Sequence, residues 1–179
     1  KGCMAIDRQK TETVHWHAVF TASRAEKKVR DRLEELGVEC FLPVQTVLRQ
    51  WTYRKSRVVV PVIAGLVFVR VGRQEQVKVL QTKGVVAFLR LKGEAGAAVI
   101  PDKQMEDFRF LLDFSEEAVE MTNENIKAGD LVRVVKGSLR GMEGELIRHK
   151  GVTKVLVRID MLGCAMVNIP ASFVEKLNK

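Results

Sequence analysis

The chain has 179 residues and a mass of 20.2 kDa, enough for one or two domains that each bury a core. Its hydrophobic content of 46%, charged content of 29% and mean hydropathy of -0.03 argue against wholesale disorder and membrane spanning. No apolar run approaches the roughly 18 residues of a spanning helix, and the N-terminus lacks a signal-like apolar core. We therefore expect no membrane contact. Cys3, Cys40 and Cys164 are few and far apart, which predicts neither a disulfide framework nor a metal knuckle. A reducing cytoplasm is the simplest location for such a protein.

The net charge of +8 is unevenly distributed along the chain. Residues 1–115 carry 20 basic and 13 acidic side chains, a net +7, and residues 127–179 carry 10 and 5, a net +5. Between them, residues 116–126 contain four glutamates and no basic residue. Two basic bodies and an acidic polar segment predict two domains joined by a solvated flexible linker. Nucleic acid is a plausible partner for either body.

The first body begins with a predicted strand and helix. Residues 15–22, HWHAVFTA, are rich in aromatic and β-branched side chains, which favours a buried strand. Residues 24–37 then show apolar side chains at helical spacing, with Ser23 as a candidate N-cap and Gly37 as the stop. Residues 1–13 are predicted to be a disordered N-terminus.

The rest of the first body continues the alternation. Two Val- and Phe-rich stretches, VECFLPVQTVLRQW and SRVVVPVIAGLVFVRV, predict a long hairpin that turns around TYRK. A short helix, RQEQVKVLQTK, has Val77 and Leu80 on one side, and VVAFLRL returns as a strand. The segment PDKQMEDFRFLLDF predicts a helix with an apolar stripe of Met105, Phe108, Leu111 and Leu112. The order βαββαβα predicts an α+β sandwich on one antiparallel sheet.

The second body differs from the first, because its short Val-, Ile- and Leu-rich runs alternate with Gly-bearing turns about every ten residues. This pattern predicts a small β-barrel with only its last few residues helical. Residues 152–159, VTKVLVRI, are too β-branched for a comfortable helix. We therefore expect the second body to be a barrel at all times. We also expect the N-terminal domain to be open, with no contact that covers it.

The sequence resembles a known family in both bodies. GDLVRVVKGSLRGMEGEL, at 129–146, matches the KOW motif, and VRIDMLGCAMVNIPASFVEKL matches the closure of that barrel. Trp16, the amphipathic helix, Phe41-Leu42-Pro43 and AGLVFVRV resemble the NusG N-terminal (NGN) domain. EKKVRDRLEELGVECFLPV and RQWTYRKSRVVVPV look closest to UpxY-type paralogues, which are related in role to RfaH. The implied domains are an NGN α/β sandwich at 14–115, a linker at 116–126 and a small SH3-like KOW β-barrel at 127–179.

The resemblance implies a transcription elongation or antitermination factor that makes and breaks no bond and requires no cofactor. Such a factor, expected as a monomer, docks on the clamp helices of the large RNA polymerase subunit, suppresses pausing, and contacts the non-template DNA strand. A specialised member would serve one operon, such as a surface-polysaccharide operon. The KOW domain is implied to recruit a ribosomal protein or Rho. The alternative is a KOW-bearing RNA-binding or ribosome-associated module without polymerase contact.

Three sets of contact residues follow from the resemblance, and each has a structural alternative. The polymerase set would also suit core positions of the sheet, and the DNA set would also suit a solvated helix face. The KOW loop set would also suit an ordinary turn. The predicted polymerase contacts are Phe20, Ile63, Leu66 and Phe88, supported by Trp16 on the first strand; the predicted nucleic-acid contacts are Arg24, Lys27, Lys28, Gln76, Lys78, Lys83 and Arg90; the predicted KOW partner loop holds Leu139, Arg140 and Met142.

This sequence departs from the family pattern at two places. Ala64-Gly65-Leu66 replaces the usual Pro-Gly-Tyr, so an aliphatic side chain stands where the family has an aromatic one. Glu75, Gln76, Val77 and Lys78 stand where RfaH has a polar Thr-rich cluster, so any recognised DNA element must differ.

The hairpin tip, RQWTYRKSR, interleaves cations with aromatic side chains, a composition suited to backbone contact and stacking. A solvated tip whose two aromatics pack on each other is the alternative. This secondary site comprises Arg49, Trp51, Tyr53, Arg54, Lys55 and Arg57.

Other chemistry is only weakly indicated. His15 and His17 share a strand face, but no third ligand is placed to complete a metal site. Nothing in the sequence brings Cys40 and His149 together as a catalytic pair. GSLRGMEG lacks the Gly-Lys-Ser/Thr ending of a phosphate loop.

Overall fold

The computed structural model describes residues 12–178. Its N-terminal part alternates strands and helices, and each of the two long extended stretches in the sequence divides into two strands. The elements are β1 His15–Thr21, α1 Glu26–Glu35, β2 Glu39–Phe41, β3 Val44–Trp51, β4 Arg54–Pro61, β5 Leu66–Val71, α2 Arg73–Leu80, β6 Val85–Phe88 and α3 Asp102–Phe114. The predicted α+β class with an antiparallel sheet is confirmed for this part. The predicted disordered segment 1–13 lies almost wholly outside the described residues.

The central sheet has the order β2-β5-β1-β6, with every neighbouring pair antiparallel. Phe20 pairs with Leu66 on β5 and with Ala87 on β6, whereas Val19 pairs with Phe88. Directly opposed residues point to the same side of a sheet. Phe20, Leu66 and Ala87 therefore share one face, and Val19 and Phe88 share the other.

Each face of this sheet is covered by helices. Met105, Phe108 and Leu111 of α3 are buried on the Leu66 face, as predicted, and Leu112 is partly buried. α1 and α2 cover the Val19 face with Val29, Leu33 and Val79.

The predicted apolar side of α2 is wrong. Val77 and Leu80 are 58% and 42% exposed, and Val79 is the buried residue. A helix of only eight residues carries too few apolar positions to fix its inward face by spacing.

The two ends of α1 differ in how well the sequence anticipated them. Ser23 is not the N-cap, because the cap position is Ala25 and no side chain caps it. Glu26 instead accepts a hydrogen bond from the Gly65 backbone N–H at 2.8 Å, which ties the helix to the start of β5. Gly37 has φ +74° just after the helix, which confirms the predicted stop.

β3 and β4 form the predicted hairpin as a separate two-stranded arm. The strands pair from Val44 with Pro61 to Trp51 with Arg54, and the tip is a two-residue turn. Lys27 of α1 donates a hydrogen bond from Nζ to the Val59 carbonyl at 3.1 Å, which connects the base of the arm to α1.

The C-terminal part is a six-stranded sheet of order β12-β8-β9-β10-β11-β7. It is consistent with a KOW-like domain, and closure into a barrel stays a prediction. The predicted helical end is only one short 3-10 turn at Ala171–Phe173. The strands are β7 Glu120–Thr122, β8 Asp130–Val134, β9 Glu143–His149, β10 Val152–Ile159, β11 Gly163–Asn168 and β12 Val174–Lys176.

The segment predicted to be an acidic linker, 116–126, contains β7, which pairs with β11. Val119 in this segment is 6% exposed and makes two backbone hydrogen bonds with the Gln45 side-chain amide of β3, at 3.0 and 3.1 Å. Glu120 forms a 2.6 Å ion pair with Lys154. The predicted flexibility and domain boundaries stay predictions, but these contacts hold part of the segment against both parts of the chain.

The N-terminal part contacts the C-terminal sheet, which differs from the expected open arrangement. The Gln104 amide donates to an Asp160 carboxylate oxygen at 2.9 Å and accepts from the Asp160 backbone N–H at 2.8 Å. Buried side chains of the Leu66 face, α3 and the C-terminal sheet form one apolar cluster. Residues 152–159 are a strand, as predicted.

Across residues 12–178, no helix combines the length and hydrophobicity needed to cross a membrane.

Candidate functional site

Four of the five predicted polymerase-contact residues lie on the Leu66 face. Phe20 is 40% exposed there, and Ile63 is partly buried in the same apolar cluster as Leu66 and Trp16. Leu66 and Trp16 are 1% and 5% exposed, so the structure uses both side chains mainly for packing. We call Phe20, Ile63, Leu66 and Ala87 the Phe20 patch.

Phe88 lies on the opposite face from the Phe20 patch. It is 4% exposed, packs among the buried residues beneath α1 and α2, and meets the His17 ring edge-on at 5.8 Å. The pairing of β1 with β6 shifts register between Phe20 and Thr21, and Ala87 is the residue opposite Phe20. Sequence reasoning therefore missed Ala87, which neighbours Phe88 and is the β6 residue on the Phe20 face.

Two further partly buried residues, Val62 and Leu89, pack against the same apolar cluster as Leu66 and Ile63 and were also missed. Val62 adjoins Ile63, and its amide donates to the Pro43 carbonyl at 2.8 Å. Leu89 follows β6, and its amide donates to the Ala18 carbonyl at 2.8 Å. Their position next to predicted patch residues was the available signal.

Trp16 is held beneath a cation. The Arg109 guanidinium of α3 lies 5.6 Å from the Trp16 ring centroid and 4.8 Å from that of Phe41. The Arg109 guanidinium therefore covers one face of both rings and is held there by cation–π attraction. Trp16 stabilises the face that presents Phe20 and is itself covered.

The predicted nucleic-acid residues divide into separate groups. Arg24 and Lys27 line a cleft of about 400 Å³ beside the arm, at the end of β1 that reaches Thr21. Gln76 lines a cavity of about 280 Å³ with His15 and His17, at the other end of that strand. A seven-residue strand spans about 20 Å, so the structure does not join these residues in one site. Lys28 is exposed next to Lys27.

Lys78, Lys83 and Arg90 have exposed side chains, but two of them also serve the fold. Lys78 donates from Nζ to the Leu36 carbonyl at 2.9 Å and so satisfies the end of α1. The Lys83 carbonyl accepts a hydrogen bond from Arg32 at 2.7 Å. Lys78 is therefore a helix-capping residue in this arrangement, in addition to any contact with DNA.

The arm presents its cations on two faces. The pairing register places Arg49, Trp51 and Arg54 on one face and Lys55 and Arg57 on the other. The Tyr53 side chain in the turn is 99% exposed and that of Trp51 is 54% exposed.

Among the described residues, the aromatic pairs include neither Trp51 nor Tyr53. The alternative in which the two tip aromatics pack on each other is therefore not what the structure has.

The predicted KOW partner loop presents one side chain. Leu139 and Met142 are 5% and 3% exposed and belong to the core, whereas Arg140 is exposed. The Val134 carbonyl accepts from the Gly141 N–H, and the Met142 carbonyl accepts from the Val134 N–H, both at 2.8 Å. These bonds fix the backbone of the loop, and of the three predicted residues only Arg140 has an exposed side chain.

The histidine pair is arranged for packing. The His15 and His17 ring centroids are 6.5 Å apart at right angles, and His17 Nδ1 lies 2.9 Å from the Ala98 carbonyl oxygen. Burial lowers the pKa of His17, which favours the neutral ring at neutral pH. No group of three or more His, Cys, Asp or Glu residues suited to a metal ion occurs within residues 12–178. Burial also raises the pKa of the Cys40 thiol to about 11, which disfavours a reactive thiolate.

Two features together indicate a binding protein: an antiparallel α+β body with a partly exposed apolar patch, and a basic cleft beside the arm. The family model described as "Transcription termination factor nusG" matches residues 14–109, which is more than half of the chain. The chain therefore belongs to the NusG family. Members of this family are transcription factors rather than enzymes.

One solved structure agrees with this assignment at the level of the fold, and two others align with lower TM-scores. The structure titled "Domain interaction in Thermotoga maritima NusG" aligns with 93% of this chain and 98% of that chain, at 22% sequence identity and a TM-score of 0.50. Two conformations of the MjSpt4:Spt5 complex align with 92% of this chain and with 97% and 99% of theirs, at 17% identity and TM-scores of 0.30 and 0.29. No curated protein sequence matches the chain significantly.

Proposed function

We propose that this NusG-family protein is an elongation and antitermination factor that binds RNA polymerase through the Phe20 patch. The observation that supports this most is the 40% exposure of Phe20 on a face that is otherwise covered. An aromatic side chain surrounded by apolar neighbours and only partly buried is typical of the anchor in a protein interface. The clamp helices of the large polymerase subunit are the proposed partner.

The action follows from differential affinity. A factor that binds a closed clamp more tightly than an open one shifts the polymerase toward the closed, active form. A coupling of about 1–3 kcal/mol changes the ratio of the two forms roughly 5- to 150-fold, which is enough to suppress a pause. The basic side chains beside the patch would then lie over the non-template strand.

We further propose a specialised role of the UpxY or RfaH type, confined to one operon such as a surface-polysaccharide operon. The sequence similarity at α1 and at the arm supports it, as does the aliphatic Leu66 in the usual aromatic position. The KOW-like part would recruit a ribosomal protein or Rho, with Arg140 as the exposed contact of its loop.

An in vitro transcription assay tests the function. The purified protein is added to elongation complexes halted on two templates, one carrying the leader of its own operon and one carrying an unrelated leader. We expect shorter pauses on the operon template and little change on the other. Equal shortening on both templates would refute the specialised role, and no shortening on either would refute an effect on elongation.

A further inference from the structure

The loop between β4 and β5 supplies part of the Phe20 patch. Residues 62–65 form this loop and belong to neither strand; Ile63 lies within it, and Leu66 follows it directly. The chain turns at Gly65, whose φ of +70° is a conformation that glycine adopts at low cost. Because no strand pairing fixes a loop of this kind, its other contacts decide where Ile63 lies relative to Phe20.

Three hydrogen bonds hold the backbone of this loop. The Val62 N–H donates to the Pro43 carbonyl at 2.8 Å. The Thr21 N–H, directly after Phe20, donates to the Gly65 carbonyl at 2.9 Å. The Gly65 N–H donates to Glu26 Oε1 at 2.8 Å. The first two bonds join backbone to backbone, so in the described part of the chain Glu26 provides the one side chain that holds a backbone group of the loop.

The burial of Glu26 is unusual for a carboxylate. Glu26 is 8% exposed, although glutamate is seldom buried without a charged partner. Within residues 12–178 it takes part in no ion pair. Its place in the first turn of α1 favours negative charge, but removal of a carboxylate from water still costs free energy unless hydrogen bonds compensate for it. A carboxylate buried in this way against one backbone N–H indicates that the position of that N–H matters.

We propose that Glu26 is a positioning residue of the polymerase interface. Its carboxylate holds the Gly65 amide, the Gly65 carbonyl is held by the end of β1, and these two bonds together keep Ile63 beside Phe20 on the patch. Without the bond to Glu26, the loop would be less ordered in the free protein, and binding would have to order it. The inference rests on the proposed function, because it takes the Phe20 patch as the surface that contacts polymerase.

The affinity for core RNA polymerase of two Glu26 variants tests the proposal. Glu26→Gln keeps a side-chain oxygen that can accept from the Gly65 N–H, whereas Glu26→Ala has none. We expect Glu26→Ala to bind about five- to tenfold more weakly, because ordering a loop side chain on binding is unfavourable. We expect Glu26→Gln to restore most of the affinity. Wild-type affinity in Glu26→Ala, or equally weak binding by both variants, would overturn the proposal.

Glu12→Ala is the matched control. Glu12 Oε1 accepts from the Gln74 N–H at 2.8 Å, beyond the opposite end of β1 from Phe20. Each alanine variant therefore removes a carboxylate–amide bond of the same length from the N-terminal part, and urea unfolding measures the stability that each one loses. We expect weaker polymerase binding in Glu26→Ala alone. An equal loss of affinity in Glu12→Ala would show a general effect of stability and would refute a positioning role.

Coupling to Ile63 separates positioning from a purely structural role. We expect Ile63→Ala to weaken polymerase binding about threefold in the otherwise wild-type protein and to have little effect when combined with Glu26→Ala, because Ile63 is then no longer held in place. Independent effects of the two substitutions would contradict the proposal.

Glu26→Asp provides the test if Glu26→Ala does not fold. Aspartate keeps the charge in the first turn of α1, but its carboxylate is one methylene shorter and ends short of the Gly65 amide. We expect a loss of affinity similar to that of Glu26→Ala, and wild-type affinity would again overturn the proposal.

Phe20→Asp distinguishes the failure of this inference from the failure of the proposed function. Weak polymerase binding by Phe20→Asp together with wild-type binding by Glu26→Ala would remove the positioning role alone. Wild-type binding by a folded Phe20→Asp variant would contradict the proposed function, and the positioning role with it.

Discussion

Replacing Arg24 with glycine is expected to make the protein more stable and a poorer DNA binder. Arg24 is exposed at φ +58°, and its side chain takes part in none of the hydrogen bonds or ion pairs among the described residues. The left-handed conformation costs an L-residue about 1–2 kcal/mol, and glycine avoids that cost. Glycine also increases the entropy of the unfolded chain, which reduces this gain in stability by about 0.4–1 kcal/mol. The expected net gain is about 0.5–1 kcal/mol, a rise in Tm of roughly 1–4 °C for a chain of this length.

Lys150→Gly is the matched control for this substitution. Lys150 has φ +50° in the two-residue turn between β9 and β10, where it precedes Gly151 at φ +78°. Positive φ at both turn residues is the geometry that favours glycine at either position. Urea unfolding and DNA anisotropy should therefore show higher stability in both variants and weaker DNA binding in Arg24→Gly alone. Lower stability of Arg24→Gly, or unchanged DNA binding in it, would refute the reasoning.

Two more predictions concern the contacts that hold the C-terminal part. Gln104→Ala removes both hydrogen bonds to Asp160, each of which contributes about 0.5–1.5 kcal/mol. Hydrogen exchange at the Asp160 amide should therefore accelerate. An unchanged exchange rate would mean that this contact does not hold the two parts of the chain together. The hydrogen bond from Lys154 lowers the pKa of Glu120 below its ordinary value of 4.5, so the pair stabilises the fold above that pH and loses this effect as the pH falls through the lowered pKa. Glu120→Gln should therefore cost about 0.5–1 kcal/mol of unfolding free energy near pH 7, a modest amount because the carboxylate is partly exposed. This cost should shrink as the pH falls through the lowered pKa, and a cost that does not change with pH would contradict the assignment.

The sequence predicted most of the N-terminal elements because each has a clear local pattern. β1 and the arm are rich in β-branched and aromatic side chains, and α1 and α3 have apolar stripes long enough to fix their inward faces. Gly37 ends α1 as expected, because the chain there adopts the left-handed conformation and glycine adopts that conformation at low cost. The short α2 lacked such a stripe, and its buried side was assigned wrongly.

The candidate sites depended on tertiary structure that no local pattern encodes. The register shift in the pairing of β1 with β6 decides which residue of β6 joins Phe20, and alternation alone could not locate it. Leu139 and Met142 looked like loop residues because glycines surround them, although the loop folds back onto the core. The cleft between α1 and the arm joins residues about 25 positions apart, which only the packing of the arm against α1 reveals.

Leu66 is a poor position for testing the polymerase contact. It is 1% exposed, so an aspartate there would bury an unpaired charge and is expected to unfold the domain. Phe20 is a better position because two-fifths of its side chain is free.

The affinity of core RNA polymerase for the Phe20→Asp variant tests the central claim most directly. A phenylalanine exposes about 200 Å² when free, so burial of the exposed 40% of Phe20 contributes about 2 kcal/mol. We predict that Phe20→Asp weakens binding to the polymerase at least about 30-fold without loss of the native circular dichroism spectrum. The control, Val152→Asp, changes a residue that is 43% exposed on the C-terminal sheet, and we predict wild-type affinity. A folded Phe20→Asp variant that binds as tightly as the wild type would contradict the proposed polymerase interface.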